Sequence, residues 1–227
     1  APHAGYGCSG QVAANAYINW QIDKQKIKRI IIVGPSHRVA LKGIAVPKFS
    51  AFKTPLGEVS IDSRAISKIL DLPQVQSTDK PHLEEHSIEV HIPFLQTLLV
   101  DFKLIPLLVG GMAGEQVAQV LERLWGDQTT RFLISTDLSH YQTYESAKRI
   151  DAKTAEAIEN MNPNEIKSEQ ACGRIPLAGM LIAAKKHGLS VQRLDLQNSG
   201  DSIGQKHKVV GYGSWAMSNV ENQKNKM

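Results

Sequence analysis

Residues 29–34 read RIIIVG, four consecutive branched aliphatic side chains closed by Gly34 and followed by Pro35. A strand with one wet face alternates apolar and polar residues, so an unbroken run this short predicts a strand buried on both faces, as in a parallel sheet covered by helices. The same pattern returns in KLIPLLVG at 103–110 and RFLISTD at 131–137. Helical periodicity lies between and after them, at 114–126, 144–160 and 176–187, the last opening on Pro176, whose missing N–H is harmless in a first turn. Strands alternating with helices predict an α/β fold, three layers (α/β/α) around a central, mostly parallel sheet. The closing KVVGYGSWAMS alternates like an edge or antiparallel strand, and AVPKFSAFKTPLGEV reads as hairpin or loop.

Size and charge bound the function. A chain of 227 residues without internal repeats is read as one domain over 1–218, followed by a polar, periodless tail at 219–227. With 42% hydrophobic and 21% charged residues, and no apolar run near the roughly 18 residues of a membrane span, a soluble, non-membrane protein is expected. The net charge of +4 is dispersed in pieces such as DKQKIKR without interleaved aromatic residues, which argues against nucleic acid as a partner. Two cysteines, Cys8 and Cys172, with no CxxC pair, exclude a disulfide framework and a zinc ribbon, and make a cytoplasmic location the expectation.

Parallel α/β folds bind ligands outside the carboxyl ends of their strands. His37 follows the first run in GPSH, and Asp137 and His140 follow the third in STDLSH. His3, in APHAGYGCSG, takes an equivalent position if a strand precedes it; its glycines are read as a sharp turn that aims the ring at the pocket, with Tyr6 in the wall. In EEHSIEVHIPFLQTLL, Ile88, Ile92, Leu95 and Leu99 form an apolar helical stripe, and His86 shares a face with Glu89, and with His82 if the helix extends that far. His86 is equally readable as a helix-start histidine satisfied by a neighbouring carboxylate. His91 is rotated well away from it and, with His187 and His207, reads as surface or structural. Cys172 stands just before a helix start and beside Arg174, a setting for a ligand or nucleophile, or else for a small buried thiol; Cys8 has only its proximity to His3.

In this order and spacing, PHAGY, GPSH, EHSIEVHIPF, STDLSH and CGRIPL resemble the Memo family, the Memo-like component of the AmmeMemoRadiSam set, from the first residues to about Met217. The family is similar in fold to class III, LigB-type extradiol dioxygenases, α/β proteins that hold non-haem iron(II) at one end of the sheet. The resemblance implies His3, His37 and Cys172 as metal ligands, with His140, Asp137 and His86 as the catalytic groups of the same pocket. It also implies a leading segment that carries a HAGSWY-like stretch and lies outside this chain. Cysteine in place of the dioxygenases' glutamate changes the softness of the site, so iron(II) is expected with copper or zinc as competitors. Asp137 is expected to pair with His140 and fix its tautomer, which makes His140 the acid/base, with Glu89 or Glu85 behind His86. A redox enzyme acting on a small-molecule substrate is the leading expectation. The alternatives are a peptide-binding scaffold, a protein that handles iron or copper, and a metal-free hydrolase built on Cys172 and His140. AMMECR1-like and radical-SAM proteins are the partners the resemblance implies.

Overall fold

A computed structural model describes residues 1–219. All but the first residue of the polar stretch expected at 219–227 lies outside the described residues. The chain runs through α1 (Tyr6–Tyr17), β1 (Arg29–Pro35), β2 (Ile44–Val46), the hairpin β3 (Ala51–Thr54) and β4 (Gly57–Ser60), α2 (Ser63–Ile66) and β5 (Val75–Ser77). It continues through α3 (His86–Glu89), α4 (Ile92–Leu98), β6 (Lys103–Val109), α5 (Gly114–Leu124), β7 (Thr130–Ile134) and β8 (His140–Gln142). It closes with α6 (Tyr144–Glu159), α7 (Arg174–Lys186), β9 (Leu189–Asn198), α8 (Ser199–Ser202) and β10 (Val209–Asn219).

The central sheet has the order β5-β2-β6-β1-β7, with β1 parallel to both β6 and β7. Ile30, Ile31, Ile32 and Val33 are each fully buried, as the unbroken aliphatic run requires of the strand at the centre of three parallel neighbours. β2 runs antiparallel to β6, so the sheet is mixed but mostly parallel, and it is flanked by helices. Pro106 interrupts none of the ladder. The Leu104 carbonyl accepts from Asp62 on the side away from β1, and residue 106 presents its nitrogen on that same side, where β2 does not begin to pair until Leu108.

A second sheet, β8-β10-β9, is antiparallel. The closing alternating stretch is therefore its middle strand and not an edge, because β9, whose alternation is weak around Arg193, supplies the outer partner. The expected long helix after Glu85 is two short ones. Pro93 at the start of α4 has no N–H to continue the ladder, and the chain breaks between Glu89 and Ile92. The stripe survives the break, since Ile88, Ile92, Leu95 and Leu99 are all buried. Among the described residues no helix is long and apolar enough to cross a membrane.

Candidate metal and catalytic site

β1 and β7 lie side by side and parallel, so the residues after them emerge at one edge of the sheet. Two close approaches bring other segments onto that edge. A Cβ on Gly34 would stand 2.7 Å from the Ser87 hydroxyl, which donates to the Pro35 carbonyl at 2.8 Å; α3 is thus bolted to the end of β1. A Cβ on Gly173 would stand 2.5 Å from the Ser135 carbonyl, so the start of α7 rests directly on the end of β7 and carries Cys172 with it. Gly34→Ala is expected to destabilise the protein by about 1–3 kcal/mol, the usual range for overpacking, because Ser87 must leave Pro35. A urea midpoint equal to that of the wild type would show that α3 can shift freely.

His3, His37 and His86 meet at this edge, with one ring nitrogen from each lying within 4.8 Å of the others. The His37 and His86 rings are stacked at 4.9 Å between centroids, and His3 stands edge-on to both at 5.2 and 5.4 Å. All three Nδ1 atoms face protein acceptors. His3 Nδ1 lies 2.6 Å from Ser135 Oγ. Glu85 Oε1 accepts from His37 Nδ1 at 2.9 Å and lies 3.3 Å from His86 Nδ1, within ion-pair range but off hydrogen-bond geometry. His3 and His37 therefore keep Nε2 for the pocket, the arrangement by which a partner behind a metal-binding histidine sets its tautomer and orientation. Glu85 is 3% exposed and also accepts from the His37 and Ser87 backbone N–H groups. Burial pushes its carboxyl up, but these hydrogen bonds prevail and hold it at about 2, so it is ionised. His37, hydrogen-bonded by Cys172 and Glu85, is raised to about 10 in the metal-free protein. His3 is held well below the usual range, by burial and then by the neighbouring histidines, and so is neutral.

Cys172 Sγ lies 3.4 Å from His3 Nε2 and receives the Asp137 backbone N–H at 3.3 Å. The expected ligand and pocket residues are thus mostly together. Asp137 is buried, its carboxyl raised by that burial, and Oδ1 accepts the His3 backbone N–H at 2.8 Å. The expected Asp137–His140 pair does not form: His140 donates Nδ1–H to the Leu138 carbonyl at 2.8 Å, and Asp137 spends its oxygen on holding the His3 backbone. His140 is not one of the three clustered rings and lies half-buried at the start of β8. A Cys172–His140 dyad is likewise replaced, since the thiol faces His3 and His37.

Two further expectations change, and the choice left open between Glu85 and Glu89 is resolved. The glycines of APHAGYGCSG are not what aims His3: a Cβ on Gly5 or Gly7 would meet nothing within 4 Å, and α1 already begins at Tyr6. Tyr6 is half exposed, its hydroxyl on the Val90 carbonyl. His82 lies on a separate turn, bonded to the Ala45 carbonyl. Glu85 and not Glu89 backs His86, because the N-cap of a short helix folds its side chain over the first turn. Sequence reasoning missed Ser135 and the part played by His91, which is fully buried with Nε2 2.8 Å from Ser135 Oγ.

A cavity of about 290 Å³ opens beside Cys172 at the carboxyl ends of β1 and β6, walled by Pro35, Ser36, Leu41, Gly110, Ile175 and Pro176 among others. A larger cleft of about 450 Å³ lies elsewhere, between α5, α7 and residues 163–169, and is lined by ordinary surface polar groups.

Fold and site together define an α/β protein with a histidine and cysteine pocket at the carboxyl edge of its parallel strands. The chain belongs to the Memo-like family, whose model, described as Memo-like protein, matches residues 1–216. It is 34% identical over 224 residues to a MEMO1 family protein of Sulfolobus acidocaldarius, covering 93% of this chain and 78% of that one. It is also 34% identical to a MEMO1 family protein of Aquifex aeolicus, covering 93% and 82%. Among solved structures it is similar to an uncharacterized protein, JW3007, of Escherichia coli K12, with a TM-score of 0.53, 13% identity, and coverage of 88% of this chain and 92% of that one. That likeness is one of fold.

Proposed function

We propose that this chain is a non-haem iron protein of dioxygenase-like type that acts on a small substrate at the edge of the central sheet. The observation that carries the reading is the convergence of three imidazoles, each with Nδ1 facing a protein acceptor, beside a cysteine sulfur. His3, His37 and Cys172 are the ligands in this reading. His3 and Cys172 are held from behind by Ser135 and by backbone groups of Asp137, whereas the His86 side chain is 45% exposed and less fixed. His86 then faces the opening, where it binds or orients substrate. Two neutral imidazoles and a thiolate suit a divalent first-row ion, and iron(II) so held supplies a redox centre with open positions. His140, its Nδ1–H given to Leu138, offers Nε2 to hold or release a substrate proton. The cavity beside Cys172, about 290 Å³ with a wall of mixed polarity, has room for one small organic molecule. A sulfur ligand also suits copper(I), so metal handling is the second reading.

Metal analysis of protein purified without oxygen tests this. Near-stoichiometric iron is expected in the wild type, lost in Cys172→Ala and retained at lower affinity in His86→Ala. Copper in place of iron would favour the second reading. No metal in any form after reconstitution would remove both and leave the pocket to a binding protein.

A further inference from the structure

Behind His3 runs a chain of hydrogen bonds that no spacing in the sequence predicts: Tyr17 hydroxyl, His91, Ser135, His3. All four side chains are buried, and so is Ser87, which closes the chain from the side. The direction of every proton follows from one atom. Ser135 Oγ lies 2.6 Å from the Ser87 carbonyl oxygen, which can only accept, so the single serine proton points there. The Ser135 oxygen then has two lone pairs, and the two nitrogens that face it, His3 Nδ1 at 2.6 Å and His91 Nε2 at 2.8 Å, must both donate. His3 is therefore the Nδ1–H tautomer, with its Nε2 lone pair toward Cys172. His91 is the opposite tautomer, and its Nδ1 accepts from the Tyr17 hydroxyl.

The Ser87 carbonyl is available because the helix breaks after Glu89: the His91 N–H turns to Ile88 and leaves Ser87 without a backbone donor from that residue. The i+5 offset that takes His91 away from His86 puts it underneath the site. Nor does the chain lead to solvent, since Tyr17 ends it inside the protein against Trp20 and Phe94. A proton route to bulk water needs an outlet; a buried end serves to fix orientation.

We propose that Ser135 and His91 are positioning residues that lock His3 in the tautomer whose Nε2 lone pair faces the pocket. Reversing the lock would turn the Ser135 proton to His3 and strip the buried Ser87 carbonyl of its donor. With His91 on the remaining lone pair, the hydroxyl has no other partner to turn to. The functional meaning of the lock rests on the reading of His3 as a metal ligand, since a ring protonated at Nε2 must lose that proton before it can bind an ion there. The tautomer itself does not rest on it.

The test is histidine ring ¹⁵N–¹H correlation on the ¹⁵N-labelled, metal-free protein near neutral pH, assigned with His3→Gln and His91→Gln, followed by anaerobic titration with iron(II). Two opposite tautomers are expected, Nδ1–H for His3 and Nε2–H for His91. Ser135→Ala is expected to let His3 populate Nε2–H and to weaken iron(II) binding about 10–100-fold, the usual effect of losing a partner behind a metal ligand. Tyr17→Phe, which leaves Ser135 with all its partners, is expected to keep the His3 tautomer. Wild-type His3 protonated at Nε2 overturns the lock, and this measurement stands even where Ser135→Ala does not fold. A folded Ser135→Ala with unchanged tautomer and affinity overturns it as well. Nδ1–H on His3 with no iron(II) bound leaves the lock in place and instead overturns the metal-binding reading.

Discussion

Glu85→Ala is expected to weaken iron(II) binding by at least about 10–100-fold and to destabilise the fold at the same time, whereas Glu89→Ala leaves both unchanged. The two glutamates flank the same turn but do different things. One oxygen of Glu85 accepts from His37 Nδ1 and stands within ion-pair distance of His86 Nδ1, and the carboxylate also receives the backbone N–H groups of His37 and Ser87. Removing it frees two rings at once, and loss of a single partner behind a ligand already costs about 10–100-fold in affinity. It also removes the N-cap of α3, usually about 1 kcal/mol, and leaves buried donors unpaired at about 1–3 kcal/mol. Glu85→Gln separates the two effects, since an amide fills the same volume and can still accept, but carries no charge to balance His37. Retention of stability in Glu85→Gln with loss of iron would place the effect at the site; tight iron binding in Glu85→Ala would show that the rings need no support from behind.

The residues legible from sequence were those whose position follows from strand ends and motif spacing. His37 and Asp137 stand where parallel strands stop, and the strands themselves announce their burial by unbroken aliphatic runs. His3, His86 and Cys172 are visible as candidates by their local settings, but their ligand and pocket roles come only from the resemblance to a family. What sequence could not show was the direction of each side chain's hydrogen bonds. Asp137 and His140 are three apart and look like a pair, yet the turn between them gives His140 the Leu138 carbonyl and leaves Asp137 to the His3 backbone. Ser135 reads as an ordinary residue at the end of a strand, and its importance comes from His3 and from the stretch holding Ser87 and His91, which meet it only in the fold. Pro93 was the one available sign that the helix would break. The break releases the Ser87 carbonyl and tucks His91 below the site, so a helix-breaking residue shapes the pocket from outside it.

That same burial makes the metal-free protein sensitive to acid from about pH 6.5 downward. His82 is held at about 4 and His91 at about 3, each mainly by burial. His82 gives Nε2–H to Ala45 while its Nδ1 has no partner among the described residues, and His91 uses both nitrogens, so neither ring has an acceptor for a second proton. In the unfolded chain both take up protons near pH 6.5. Between there and about pH 4 the unfolded state binds more protons than the fold, and stability must fall as pH falls. The loss is about 1.4 kcal/mol per pH unit for each ring, or roughly 3–4 kcal/mol for both from pH 6 to 4.5, out of a typical total of about 5–15. Asp137 and Asp151, both raised by burial, act with the opposite sign and reduce the net slope, while Glu85, at about 2, loses its contribution only in stronger acid. Comparison of variants isolates the histidines: urea unfolding at pH 7, 6, 5 and 4.5 should show a shallower acid slope in His82→Gln than in the wild type, by about half the histidine contribution. Identical slopes in the two proteins would mean that His82 takes up its proton inside the fold, with water reaching its Nδ1.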